Sequence, residues 1–221
     1  MQSNSASMFQ SRKDTKRANL LTAASKVFAR KGYNETSIKD ITDAAGISVG
    51  SFYSYFENKE DIVASLYDAM TAMSIEAASA AAQGITGGVA RRFAYALACV
   101  LSVYLQHAEL SMIIIHTCIG INTSLESRRR ATFDTTIDYI KNVLNHITSE
   151  HAVIIDNAEV LAITISHSIY GLVSYWLDGR LSSPVQEAAY ALCASHLRAI
   201  KVKFVEGDIR QVVSNVLHEP D

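Results

Sequence analysis

Residues 38 to 56 hold two helical patterns on either side of the turn Gly46-Ile47-Ser48. Each is too short to persist alone, because isolated helices under about 12 residues are marginal in water. In IKDITDAA the inward positions are Ile38, Ile41 and Ala45, and Gly46 ends the pattern. In GISVGSFYSYFENKEDI only Ile47, Phe52 and Phe56 read as anchors. Ser48, Val49, Gly50, Ser51, Tyr53, Ser54 and Tyr55 are left facing outward, so this segment is expected to touch something outside the protein.

The flanking residues fix the frame. From Arg12 to Lys31, Leu21, Ala24, Val27 and Phe28 follow the i, i+3, i+4 spacing of an amphipathic helix. Gly32 after a basic last turn is the expected stop. Thr36 or Ser37 can cap the next helix, with Asp40 three residues after Ser37 as a weak capping box. Ser48 caps the third helix and Asn58 the fourth, which runs through Ile62, Leu66, Ala69 and Met73 towards Ala82. Its stretch 77–82 is rich in alanine, so it favours helix but offers little core volume. Gly84, Gly87 and Gly88 close it.

Two short helices joined by a turn containing Gly form a helix-turn-helix, whose second helix suits a DNA major groove. Charge agrees with a polyanion-binding head: residues 11–60 carry nine Lys or Arg against six Asp or Glu, on a chain of net charge -2. Of the 221 residues, 49% are hydrophobic and 19% charged, with only 2 prolines, so a compact all-α fold is expected and disorder is not. Cys99, Cys118 and Cys193 are too widely spaced for a disulfide framework and suit a reducing cytoplasm. The opening MQSNSASMFQ lacks the pattern of a signal peptide and reads as a loose tail over residues 1–11. Residues 160–177 contain no formal charge, yet Thr164, Ser166, His167, Ser168 and Ser174 interrupt them, so a buried helix is expected rather than a membrane span.

The run from Phe28 to Ile62 resembles the amino-terminal domain of the TetR family of transcriptional repressors. The matching features are Tyr33 after the glycine, the Thr36-Ser37 pair, the Ile and Ala of helix 2, the Gly-Ile-Ser turn, and the aromatic run to Phe56 before Lys59 and Glu60. The resemblance implies base-edge contacts from Val49, Gly50 and Ser51. It implies phosphate contacts from Thr36, Ser37, Ser48, Tyr53, Tyr55 and Lys59, for which hydroxyls, helix amino termini and a lysine are chemically suited. Val49 departs from the polar or basic side chain common at that position. A valine can meet a thymine methyl but makes no bidentate base contact, so specificity would lean on DNA shape.

The expected organisation is a tail over 1–11, a DNA-binding domain over 12–60 and a larger helical effector-binding and dimerisation domain over 61–221. Beyond the glycines, helices are expected at 89–106, 108–119, 125–149, 156–177, 184–205 and 208–217. In the helix over 184–205, Tyr190, Cys193, Leu197, Ile200 and Phe204 form one apolar stripe. A second, of mostly small residues, comprises Ala188, Ala191, Leu192, Ser195, Ala199 and Val202. With Leu161, Ile165, Ile169, Leu172 and Trp176 of the preceding helix, that second stripe can supply a self-complementary four-helix dimer interface, the arrangement TetR relatives use.

For an effector pocket, Ile163, His167, Tyr170 and Ser174 share one stripe, with Tyr104, His107, His116, Asn122 and Tyr139 as neighbours. Apolar walls with a few polar groups are what a small-molecule site requires. His116 and Cys118 point to different sides of a helix and make a poor metal pair, so no metal or cofactor is expected. Neither a phosphate loop, a GxSxG elbow nor an HExxH is present, so no enzyme is expected. The reading is a homodimeric, cytoplasmic, TetR-like repressor that binds a palindromic double-stranded operator and is released by a small-molecule effector. The alternative is a ligand-independent global or architectural regulator with a filled carboxy-terminal core.

Overall fold

The computed structural model describes residues 2–116, 123–151 and 153–217. Ten helices follow one another and no strand occurs among the described residues: α1 (Gln2–Lys31), α2 (Ile38–Ala45), α3 (Val49–Phe52), α4 (Lys59–Gly84), α5 (Val89–Gln106), α6 (Ala108–His116), α7 (Thr123–His151), α8 (Ala158–Leu177), α9 (Val185–Ala199) and α10 (Glu206–Val216). They group into two compact units. The first gathers Met1–Asp68 and Met112–Arg129, the second Ala69–Ser111 and Arg130–Asp221. The division falls inside α4, whereas the expected boundary lay at residue 60. Ile62, Val63, Leu66 and Tyr67 are fully or almost fully buried, so the first turns of α4 bury a complete apolar face.

In the first unit, α1 presents Leu20, Ala24, Val27 and Phe28 to the core, with Leu20 rather than Leu21 as the buried leucine. Helical backbone extends from Gln2, across the stretch expected as a tail, where neither Pro nor Gly interrupts it. Gly32, at φ 79, receives the turn after α1, and its amide donates to the Phe28 carbonyl at 2.8 Å. Phe52 and Phe56 pack at 5.7 Å between ring centroids, and both are buried, as are Ile41 and Tyr67. The Tyr67 hydroxyl donates to the Ile114 carbonyl at 3.0 Å, tying α4 to α6. Full burial of such side chains stabilises by about 1.5–3 kcal/mol each.

The second unit is a helical layer in which α5 packs against α8, α9 and α10. Leu97, Ala98 and Leu101 of α5, Val173 of α8, Cys193 and Leu197 of α9, and Val212 and Val213 of α10 are all buried. The α9 helix ends at Ala199, short of the expected Val205. Lys201 takes a left-handed conformation at φ 56, the Val202 amide donates to the Leu197 carbonyl, and the Lys201 amide donates to the Arg198 carbonyl, both at 3.0 Å. This pair of bonds is a Schellman stop built without glycine, which is why no stop is visible in the sequence. Val202 therefore lies beyond the helix on which the small-residue stripe was placed.

By length and composition α8 could cross a membrane, as could α5 and α6 together as one bent pair. In the second unit, however, Ala162, Ile165, Ser166, Ile169 and Val173 line the buried side of α8, as a core helix would.

Candidate functional site

Ser37 and Asp40 set the start of α2. The Asp40 amide donates to Ser37 Oγ at 3.1 Å, and the Ser37 amide donates to Asp40 Oδ2 at 2.9 Å, a complete capping box. Lys31 Nζ lies 2.6 Å from Asp40 Oδ1. Lys31, followed by the Ser37 amide and hydroxyl, holds the Asp40 carboxyl well below the usual carboxylate range. The helix ends at Gly46, φ 67, where the Gly46 and Ile47 amides donate to the Asp43 and Thr42 carbonyls. Ser48 then opens α3 by accepting from the Ser51 amide at 3.1 Å, with the two hydroxyls 3.0 Å apart.

Because α3 has only four residues, its orientation rests on Phe52 and Phe56. These anchors leave Ser48, Val49 and Gly50 exposed and Ser51 half-buried. Val49 is 41% exposed and Tyr53 57%, with the Tyr53 ring standing edge-on to Phe52 at 5.5 Å. An added Cβ at Gly50 would meet only Ser48 Oγ, at 3.9 Å, so this turn offers its backbone to a close partner. Tyr55 is half-buried. Ser37, Ser48, Val49, Gly50, Ser51 and Tyr53 thus keep surface available to a ligand outside the chain.

Two of the expected phosphate contacts are placed elsewhere. Thr36 is 2% exposed, and its hydroxyl donates to the Gly32 carbonyl at 2.7 Å. Lys59 turns inward: its Nζ donates to the Tyr33 and Thr36 carbonyls at 2.7 and 2.8 Å and reaches the Asn34 carbonyl at 3.5 Å. It also lies 4.3 Å from the Tyr33 ring centroid. An ammonium has three donors, and here all three face the loop between α1 and α2. The Tyr33, Asn34 and Thr36 carbonyls lie beyond the end of α1, outside its hydrogen-bond ladder, and together they hold the cation.

The second unit contains a cavity of about 310 Å³, walled by α4, α5, α7 and α8. The small residues Ser74, Ala78 and Ala82 line it from α4. The low core volume of that alanine-rich stretch is the sequence signal for the space. Tyr104, Tyr139 and Tyr170 line it as well. Tyr104 and Tyr170 meet at 5.8 Å between centroids, and the Tyr139 hydroxyl is 2.9 Å from Ser79 Oγ. Burial pushes the Tyr104 hydroxyl pKa up, and the nearby Tyr170 and Ser74 hydroxyls offset this in part.

The remaining pocket expectations fall outside this wall. Ile163, 39% exposed, and His167 lie on the outer face of α8, where the His167 ring stacks on Phe133 at 5.2 Å. Ser174 is half-buried away from the cavity, His107 caps α5, and His116 ends α6 on the exposed side. Asn122 lies outside the described residues, as does Cys118. Conversely Ile165, expected at a dimer interface, is 5% exposed and lines the cavity. On α8 the two expected stripes are in part exchanged, because a helix apolar on several sides gives no periodic signal for which side meets which neighbour. Sequence reasoning also missed Ser74, Arg92, Thr136 and Ser166 in the wall.

Of the other expected interface residues, Ala191, Ser195 and Ala199 are exposed, and Leu161, Leu172, Ala188, Leu192 and Val202 are half-buried. Val160 and Tyr175, 54% and 49% exposed, continue an apolar outer face along α8. Among the described residues, no group of three or more His, Cys, Asp or Glu comes together as a metal site.

Residues 20–66 match the family model of bacterial regulatory proteins, tetR family. Over 51 residues the chain is 45% identical to the HTH-type transcriptional repressor KstR2 of Rhodococcus jostii, covering 23% of this chain and 25% of that protein. Over 57 residues it is 39% identical to the fatty acid metabolism regulator protein of Bacillus subtilis, covering 26% and 29%. The matched part thus spans little more than a quarter of these relatives' length. Similarity of fold extends further. A TetR-family regulator structure from Syntrophomonas wolfei superposes with a TM-score of 0.76 at 21% identity, covering 87% of this chain and 98% of that one. The transcriptional regulator FadR from Bacillus subtilis, whose structure is a complex with stearoyl-CoA, gives 0.73 at 18% identity, covering 82% and 98%. Residues 20–66, with the capped α2, the glycine turn and the outward first turn of α3, thus form a helix-turn-helix domain similar to that of the tetR family of bacterial regulatory proteins.

Proposed function

We propose that this chain is a DNA-binding transcriptional regulator, a repressor that binds a palindromic operator as a homodimer and is released by a small-molecule effector. The observation that carries the reading is the exposed turn Ser48-Val49-Gly50 held by the buried Phe52 and Phe56. Such a rigid anchor presents a short helix end to a major groove, while the neighbouring hydroxyls suit phosphate oxygens. Repressors among the relatives matched over this domain support it.

Dimerisation would use the outer face of α8 and α9, where Val160, Ile163, Tyr175, Ala191, Ser195 and Ala199 are exposed. An apolar and small-residue face on two adjacent helices suits an isologous four-helix contact. The cavity supports an effector over the alternative of a filled core, since a space of about 310 Å³ with apolar walls reaches the lower range of ligand pockets. Similarity to a regulator solved with stearoyl-CoA favours a largely apolar effector. Because α4 runs from the first unit's core to the cavity wall, it is the element through which ligand and DNA would oppose each other. The test is selection of bound sites from random DNA. A recovered palindrome bound by a dimer is expected, and the absence of any enriched sequence would overturn the reading.

A further inference from the structure

We propose that the cavity takes an amphipathic acid carrying a second, neutral oxygen at its far end, with that oxygen held by Ser74 and Ser166 and the carboxylate against Arg92. This rests on the effector reading of the same cavity and adds the chemistry of its ligand.

The wall is not uniform along its length. Arg92 and Tyr104 line the cavity from the same helix, and twelve residues at 1.5 Å rise separate them by about 18 Å. The Tyr104 end is defined by its ring contact with Tyr170 and by the contact of Tyr170 with Phe133 of α7, at 4.5 Å between centroids. At the opposite end the lining residues Ala82, Arg92, Val143 and His146 are exposed. The cavity therefore has an open end and a buried end.

In the buried part of the wall two hydroxyls lack partners. Ser74 is 6% exposed and Ser166 2%, both line the cavity, and neither Oγ makes a hydrogen bond. The Tyr104 hydroxyl approaches Ser74 without giving that Oγ a bond of normal geometry. Ser166 sits one helical turn before Tyr170. Buried polar groups are almost always paired, so unpaired hydroxyls facing an apolar space call for an oxygen supplied from outside the chain. A hydrocarbon end would leave both orphaned. A charged end would be worse served, because Ser74, Ser166, Tyr104 and Tyr170 offer no cation to a desolvated carboxylate.

The cation stands at the other end. Arg92 is exposed and has no ion-pair or hydrogen-bond partner among the described residues. An acid whose carboxylate meets Arg92 and whose chain crosses the apolar middle brings its far end to the two serines. An ω-hydroxy or ω-oxo acid satisfies both ends, whereas a plain saturated acid satisfies one.

Isothermal titration of the full chain with decanoic acid and with its ω-hydroxy derivative tests this. The hydroxy acid should bind about tenfold more tightly or better, since a site built to hydrogen-bond a hydroxyl rejects the analogue lacking it. In the double variant Ser74→Ala/Ser166→Ala the preference should vanish while the plain acid binds at least as well. Removing unpaired buried hydroxyls is not expected to cost stability, so this variant should fold. Arg92→Gln should weaken both acids alike. Equal affinity for the two acids in the natural chain, or a preference that survives in the double variant, would overturn the proposal and leave the effector reading standing. Binding of neither acid to the folded chain would overturn both.

Discussion

Lys59 Nζ donates to the Tyr33 carbonyl at 2.7 Å while lying 4.3 Å from the centroid of the same residue's ring. With the Thr36 carbonyl at 2.8 Å, this makes Lys59 a clamp between the start of α4 and the loop after α1. Lys59→Met should therefore destabilise the DNA-binding head by about 2 kcal/mol, the scale of lost charge-assisted hydrogen bonds. The slope of log affinity against log salt should stay unchanged. Thermal unfolding and DNA titrations at several salt concentrations check both. A slope reduced by about one per subunit would instead return Lys59 to the phosphates.

Tyr53 is 57% exposed, and its ring meets Phe52 by an edge. Tyr53→Phe keeps that contact and removes only the hydroxyl. DNA affinity should fall by about 1 kcal/mol, with the unfolding midpoint unaltered. A loss of stability without a loss of affinity would assign the tyrosine to packing.

Ala78 lines the cavity from α4. Ala78→Phe should occupy part of the space, so operator binding should persist while effector no longer releases DNA. Mobility-shift titrations with and without the effector measure this. Release equal to that of the natural chain would show that the ligand acts elsewhere.

His196 is buried, its Nε2 lies 2.9 Å from Ser168 Oγ, and Phe93 stands edge-on at 6.2 Å. Burial lowers its pKa below the ordinary 6.5. The unfolded chain then takes up the proton first as pH falls, so this contribution to stability is complete above 6.5 and declines below it. Denaturant midpoints should drop between about pH 7.5 and about pH 5.5, and less so in His196→Gln. Identical pH dependence in both proteins would remove His196 as the cause.

The sequence was most legible where local chemistry decides the backbone. Gly32 and Gly46 stop their helices at positive φ, Ser37 and Ser48 cap as their spacing implies, and Asn58 Oδ1 accepts the Asp61 amide at 2.8 Å. Helix type and order follow from apolar periodicity, and α5 matches its expected range, Val89–Gln106. Legibility ended where direction depends on tertiary neighbours. Lys59 and Thr36 have the chemistry of phosphate ligands, yet carbonyls at and just beyond the end of α1 claim both. Ile165 and Ile163 differ by two residues on an apolar helix, and only the packing of α5 and α7 decides that the first faces the cavity and the second the outside. The left-handed Lys201 ended α9 without the glycine that a reader of sequence would look for.

The exposed turn before Phe52 is proposed to read DNA. Fluorescence anisotropy on a palindrome selected from random DNA, comparing the natural chain with Gly50→Glu, tests it most directly. An added Cβ at the exposed Gly50 meets only Ser48 Oγ at 3.9 Å, so the variant should fold with an unchanged unfolding midpoint. Salt-dependent binding by the natural chain is expected, and its loss in the variant through like-charge repulsion and steric exclusion from the groove. Equal affinity of the two proteins for the palindrome would contradict it.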